Sequence, residues 1–409
     1  MRLFELPLTF ALCGLALYAI LAGADFGVGA WQLLAGRGPG AARIRDHAHN
    51  SMAAVWEANH VWLVFVLTVV WTAYPAAFGS IASTLSVPLF IAGIGIIFRG
   101  TAYALRAGTS SHGELRTIDT VFALSSILTP FALGAAVGGI ASRRVPVGNA
   151  AGHLFTSWLN PTSVLIGSLA VATAAYLAAV YLAADAIRLG DSALARQFRC
   201  RALGAGLIAG AIALGGLAVL HSDAAPLYHG LVDGDGQAAL LVSLLAGVCT
   251  LALVWRSHFE PARYTASLAV AAIIAGWALA QRPLLLPGLT IRQAAAPHDT
   301  LVAVVIAVIA GGAILFPSLA LLFRLVLHGQ LDHAEHSAMP VRELGLLSPF
   351  RPGLIVRLAG ACLIAGVGLL TIADAGWAHA AGVLCLLGFA VFGFIAVAPA
   401  ELASTASHD

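Results

Sequence analysis

Eleven runs of about twenty apolar residues fill most of this chain, and they constrain its fold more than any other feature. A helix rising 1.5 Å per residue needs about 20 apolar residues to cross a bilayer core of roughly 30 Å. The runs lie near 7–34, 52–78, 80–104, 118–140, 162–187, 202–221, 238–255, 264–281, 300–327, 354–373 and 380–398. They are continuous rather than alternating, which favours helices over barrel strands. Only 10% of the 409 residues are charged and 60% are hydrophobic. A water-exposed globular surface carries about a quarter charged residues, and disorder needs low hydrophobicity, so both are excluded. The expected fold is an all-α polytopic membrane protein. The first run opens with Glu5, lacks a basic flank and is too long for a signal-peptide core, so it is expected to be a retained span.

Orientation follows from arginine, the basic residue used throughout a lysine-free chain. Sixteen of the 21 arginines (37, 43, 45, 99, 106, 116, 188, 196, 199, 201, 256, 263, 324, 342, 351 and 357) fall in odd-numbered loops or the adjoining helix ends. Arg2, Arg143, Arg144, Arg282 and Arg292 fall on the other side, where the sixth loop carries Asp223, Asp233 and Asp235. The positive-inside rule then puts the odd loops in the cytoplasm and the N-terminus outside. A formal net charge of +2 leaves no broad basic surface for nucleic acid.

The same map divides the chain into 1–140, four spans closed by the polar stretch 141–160; 141–330, five further spans; and 331–409, where a polar connector within His328–Pro352 leads to two appended spans. Ala16–Asp25 (ALYAILAGAD) is weakly echoed by Tyr176–Asp185 (YLAAVYLAAD), a pattern that a repeat and chance in alanine-rich helices explain about equally. Gly134/Gly138 and Gly206/Gly210 have the four-residue spacing of close helix packing. The five cysteines stand singly and read as small apolar packing residues.

Ionisable residues inside spans are costly and face a bundle interior, a water path or a partner. Asp25 lies deep in the first span, Glu57 near the start of the second, Arg99 near the end of the third, and Asp119 opens the fourth. The topology brings all four to one membrane level on the cytoplasmic side. Hydrocarbon favours a neutral carboxyl and a nearby guanidinium favours a charged one, and a group balanced between them can pass a proton. Two readings stay open: Asp25 and Glu57 pair with Arg99 to fix helix register, or they belong to a proton or ion path. Asp119 also suits a plain first-turn acid complementing a helix dipole.

Of 14 histidines, His60 sits clearly within an early span, beside Asn59 and Trp62. The methionines are Met1, Met52 and Met339, so a doubly ligated haem inside this chain is not expected. Asp332, His333, Glu335 and His336 read as a solvated loop before a metal site, and no haem-ligand or metal-ligand set is assigned. Gly27-Val28-Gly29 lacks the preceding strand a nucleotide-binding turn requires.

Leu21-Ala-Gly-Ala-Asp-Phe-Gly-Val-Gly29, Trp56-Glu-Ala-Asn-His-Val-Trp-Leu63 and Phe98-Arg-Gly-Thr-Ala-Tyr-Ala-Leu-Arg106 together resemble successive signatures of subunit II of cytochrome bd-type quinol oxidases. Asp119 with Ser126 and Pro130, Asn160-Pro161, Tyr181-Leu182 with Gly190, and Leu289–Ala295 with Thr300-Leu301 continue the match in order over about 1–330. The resemblance implies two four-helix bundles plus a peripheral helix; the apolar runs add about two extra C-terminal transmembrane helices that have no counterpart in the family pattern. It implies a partner subunit I that holds haem b, haem d and the quinol site, so that quinol reaches the complex through the partner. This chain would bind no haem, with a structural quinone or lipid as its only ligand, and would lie in a bacterial cytoplasmic membrane. It would support assembly of the haem subunit and contribute a proton path whose acidic members are Asp25, Glu57 and Asp119, with Arg99 as electrostatic partner and Asn59, His60 and Trp62 around them. The chain departs from the family pattern at Ala22, where an acid is common, at Glu57-Ala58, where Asp-Gly is common, and at His60, where Glu or Gln is common. The two appended spans would clasp lipid or replace a small accessory subunit. A proton- or ion-coupled secondary transporter using Asp25 and Glu57 is the alternative, and a purely structural membrane scaffold is a third reading.

Overall fold

The computed structural model describes residues 2–36, 39–51, 56–109, 112–327, 354–371 and 376–397. It separates into two compact units, Met1–Ser318 and Leu319–Asp409. In the first, a 3-10 turn at Leu3–Glu5 leads into α1 (Leu6–Leu33), α2 (Pro39–Asn50), α3 (Trp56–Ala73), α4 (Pro75–Thr84), α5 (Ser86–Gly108) and α6 (His112–Ala141). Then come α7 (Pro161–Arg188), α8 (Ser192–Asp223), α9 (Ala225–Val232), α10 (Gln237–Trp255) and α11 (Phe259–Gln281). A hairpin of β1 (Leu284–Leu286) and β2 (Leu289–Thr290) precedes α12 (Ile291–Ala294) and α13 (His298–Leu327), the helix in which the first unit ends at Ser318. The second unit contains α14 (Leu354–Thr371) and α15 (Gly376–Val397), which pack on each other where Gly366 faces Leu386.

Eight helices among the described residues are long and apolar enough to cross a membrane, and shorter apolar stretches lie at Asn59–Ala73, Arg357–Leu369 and Gly376–Phe392. The chain is thus a multi-pass, all-α membrane protein, and the expected spans map onto these helices with three informative differences. The second expected span, 52–78, runs over two helices. Tyr74 breaks α3 from α4 at φ −137°, ψ 60°, because the ring of Pro75 disfavours helical geometry in the residue before it. The expected third span accordingly begins six residues late, at Ser86. The expected sixth span, 202–221, belongs to a helix starting at Ser192, so Arg196, Arg199 and Arg201 lie on the first turns of α8 rather than in a loop. Asp191 sets that start by accepting a hydrogen bond from Leu194 N at 3.0 Å, the N-cap geometry of a short acid. The first loop contains α2, a short helix of mixed polarity whose Ile44 and Ala48 join the core.

Packing around α1 and α7 organises the first unit. Helix α1 contacts α3, α6 and α7, α5 packs on α6, α7 on α8, and α10 on α8 and α11. Helices α6 and α7, on either side of 141–160, also pack on each other. Small residues allow these approaches. A Cβ on Gly27 would lie 1.9 Å from Ala174 O, and one on Gly29 would lie 2.3 Å from Ser126 Cβ. The Gly27-Val28-Gly29 sequence is therefore a packing device, one glycine turned to α7 and the other to α6. Gly134 and Gly138 admit Ala170 and Ser163 of α7 in the same way, and Gly206 admits Tyr176 and Leu251. Gly210, expected to act with Gly206, faces open space. Cys13, Cys200 and Cys249 are exposed rather than packed in the core.

One hydrophobic cluster joins α1, α2, α7, α8, α10 and α11 around Trp31, Leu177, Phe198, Val254 and Phe259. Another, at the opposite helix ends, gathers Tyr74, Leu85, Val145, Trp158, Leu286 and Leu301. There the Tyr74 hydroxyl donates to Phe4 O at 2.6 Å and accepts from Leu8 N at 3.0 Å, tying the broken α3–α4 joint to the start of α1.

Candidate functional site

Among the described residues, the deepest charges in the first unit are Asp25 and Arg99, with side chains 0% and 3% exposed. Helix α1 presents Asp25 and α5 presents Arg99. The guanidinium grips the carboxylate with two parallel bonds, Nη1 to Oδ2 and Nη2 to Oδ1, each 2.6 Å. Nη2 also donates to Asp25 O at 3.2 Å, and Nε donates to Ser126 Oγ of α6 at 3.0 Å. Ser126 in turn donates to Phe122 O at 2.6 Å. The Arg99 guanidinium lies between the rings of Phe26 and Phe122, 5.2 and 4.7 Å from their centroids. A fork that matches a carboxylate and stacks on aromatic faces is a job for arginine that lysine's point charge does not do. Glycine at 29 lets Ser126 reach this position.

The expected neighbours come from α3. Asn59 is buried and donates to Leu21 O at 3.4 Å, one turn before Asp25. The His60 ring sits 6.0 Å from both Tyr18 and Phe26. Trp62 packs with Tyr18, Ala22 and Phe26. Glu57 lies on α3, two residues before Asn59, and its side chain is outside the described residues.

Asp119 is not at the level of Asp25. It pairs with Arg106, whose Nη2 is also 3.7 Å from Asp46 Oδ1 on α2. The physical reason is antiparallel register. Arg99 and Arg106 are seven residues apart on α5, Ser126 and Asp119 seven apart on α6, so the pairs form two tiers about 10 Å apart on one face. The single level expected from the sequence is thus an inner tier of Asp25, Arg99 and Ser126, and an outer, partly exposed tier of Asp119, Arg106 and Asp46.

A second charged group went unassigned in the sequence. Asp185 of α7 binds Arg263 of α11, Arg263 Nη2 donates to Tyr181 O at 2.9 Å, and Arg188 reaches Glu260 at 2.9 Å. The Ala16–Asp25 echo held the signal, since Asp25 and Asp185 occupy matching positions and each is bound by an arginine from another helix. Across the molecule Asp223 pairs with Arg144 and accepts from Thr162 N and Oγ1, so the sixth-loop acid caps α7.

His47 directs Nε2 to Leu182 O at 3.0 Å, the three methionines lie outside the described residues, and among the described residues no three of His, Cys, Asp or Glu converge. The Asp332–His336 cluster also lies outside the described residues.

The sequence pattern of the cytochrome bd terminal oxidase subunit II family matches residues 5–326, which include every helix of this site. The chain belongs to that family. As a bd oxidase subunit II chain it is 27% identical over 117 residues to cytochrome bd ubiquinol oxidase subunit 2 of Bacillus subtilis (strain 168). That alignment covers 29% of this chain and 34% of the relative, so it spans about a third of the relative's length. The fold matches a chain in the structure of bd oxidase from Geobacillus thermodenitrificans with a TM-score of 0.61 and 25% identity, covering 80% of this chain and 99% of that one. For this bd oxidase subunit II chain, residues beyond 326, including α14 and α15, lie outside the family match.

Proposed function

We propose that this chain is the haem-free subunit of a bd-type quinol oxidase, a complex that oxidises quinol and reduces dioxygen to water. It lies in a bacterial cytoplasmic membrane with its N-terminus outside, supports assembly of a haem-bearing subunit I, and contributes a proton path from the cytoplasm. The haems and the quinol site belong to the partner. The observation that carries this reading is the buried Asp25–Arg99 pair within the family-matched residues. A membrane helix tolerates such a pair at a functional path or an assembly contact, and removing either member leaves a charge stranded in hydrocarbon.

The two tiers support the path. Asp119 and Arg106 form a partly exposed mouth at the ends of α5 and α6. Two turns further in, Asp25 presents both carboxylate oxygens to Arg99. A proton reaching Asp25 competes with one of those bonds, and Ser126 already holds Nε of the same guanidinium. Arg99 is the electrostatic partner of the inner acid, Glu57 a further acidic member from α3, and Asn59, His60 and Trp62 shape the α3 side.

Purification tests the assignment. The chain should co-isolate with a subunit showing haem b and haem d absorption. A chain isolated alone that moves a solute in vesicles would make it a transporter instead. Glu57→Gln should slow oxygen consumption and proton uptake together while leaving haem content unchanged; unaltered turnover and uptake would remove Glu57 from the path.

A further inference from the structure

At the end of the helices where α7 and α10 finish and α8 and α11 begin, arginine outnumbers acid. Arg188, Arg196, Arg199, Arg201, Arg256 and Arg263 face Asp185, Asp191 and Glu260. Each of those acids is already engaged: Asp185 by Arg263, Glu260 by Arg188, and Asp191 by Arg43 and the α8 amide of Leu194. Among the described residues no carboxylate pairs with Arg196, Arg199, Arg201 or Arg256. Arg196 and Arg199 sit one turn apart on α8, the spacing at which like charges repel. The Arg199 guanidinium rests 5.6 Å from the ring centroid of Trp255, the last residue of α10, and Arg256 follows it.

The surroundings are those of a membrane boundary. Trp255 is 67% exposed, as an interfacial tryptophan is. Below it on the same face of α10 runs an exposed stripe of Val248, Leu245 and Leu241, and Leu207 lies two turns below Arg199 on α8. The helices cross where Gly206 meets Leu251. A guanidinium stacked on an indole keeps its N–H edge free for two phosphate oxygens. Basic residues without acids, an exposed tryptophan and an apolar track leading away from them have complementary partners in one molecule: a phosphate headgroup, its glycerol region and its acyl chains.

We propose that Arg196, Arg199 and Arg256, with Trp255, form a binding site for one anionic phospholipid of the adjoining leaflet. The phosphate sits against the three guanidiniums, and the chains follow the α8–α10 track. This reading needs neither the proton path nor the identity of the partner subunit.

The test places the full-length chain, with whatever subunit accompanies it, in nanodiscs of phosphatidylcholine with or without phosphatidylglycerol. Native mass spectrometry then counts the phosphatidylglycerol retained after mild detergent washing. The unaltered chain should retain it from the mixed discs. Each lost guanidinium should weaken retention about 5-fold, so Arg196→Gln with Arg199→Gln should weaken it about 25-fold. Should that double variant fail to fold, Arg256→Gln alone, at an exposed turn position, carries the test with its about 5-fold loss. Equal retention by the variants would overturn the proposal. So would displacement of the lipid by soluble glycerol phosphate, which would make this a free-anion site.

Discussion

Asp25 and Arg99 show how much of a membrane site resides in single side chains. Arg99→Gln would leave Asp25 fully buried without its partner, a change that costs about 3–5 kcal/mol when a buried pair is broken from one side. The expected outcome is a sharp fall in thermal stability and in the yield of assembled protein. Adding Asp25→Asn should restore part of it, because the two losses are not additive for groups in direct contact. Additive losses in that cycle would show that the pair contributes little as a pair. Glycines at helix contacts offer a second test. Gly27→Ala places a methyl 1.9 Å from the Ala174 carbonyl, against backbone that cannot rotate away, and overpacking of this kind costs about 1–3 kcal/mol. Gly93→Ala meets nothing within 4 Å and should be close to neutral by the same thermal measurement.

At the scale of elements, joints and caps set where helices stop. Tyr74 pins the α3–α4 break to the N-terminal turn through both partners of its buried hydroxyl. Tyr74→Phe leaves Phe4 O and Leu8 N without that partner, and about 1–3 kcal/mol is the usual cost of unsatisfied buried groups. Faster hydrogen exchange at Leu8 should accompany it. Asp191 lies outside the spans and caps α8. The Leu194 amide, and then Arg43 against it, hold its carboxyl below the ordinary 3.8. A depressed acid contributes stability that is present above its unfolded value and is lost as pH falls through its folded one. Protection of the Leu194 amide, taken relative to its intrinsic exchange rate at each pH, should therefore fall as pH drops below that ordinary value, and Asp191→Asn should flatten the dependence. An unchanged acid profile in that variant would remove Asp191 from the cap.

At the scale of the whole molecule, the family match ends at 326 while two apolar helices follow. A chain ending at residue 327 should still co-purify with the haem-bearing subunit proposed above, since α1–α11 carry the candidate site and the packing around α1 and α7. Loss of co-purification would instead give α14 and α15 an assembly role.

Hydrophobic runs alone fix the class of fold and the approximate spans, because a bilayer imposes one length and one polarity on every crossing segment. They do not fix where helices break: Pro75 divides an apolar run that reads as one span, and Asp191 starts α8 ten residues before its apolar stretch begins. Asp25, Arg99 and Asp119 stand out in the sequence because charge is rare there, and their order suggests one shared level. Only the tertiary structure decides the partners, since the antiparallel register of α5 on α6 joins Arg99 to Ser126 and Arg106 to Asp119. Composition reveals a surplus of arginine at one set of helix ends; three-dimensional packing decides which of those arginines spend their charge on acids and which are left for the membrane.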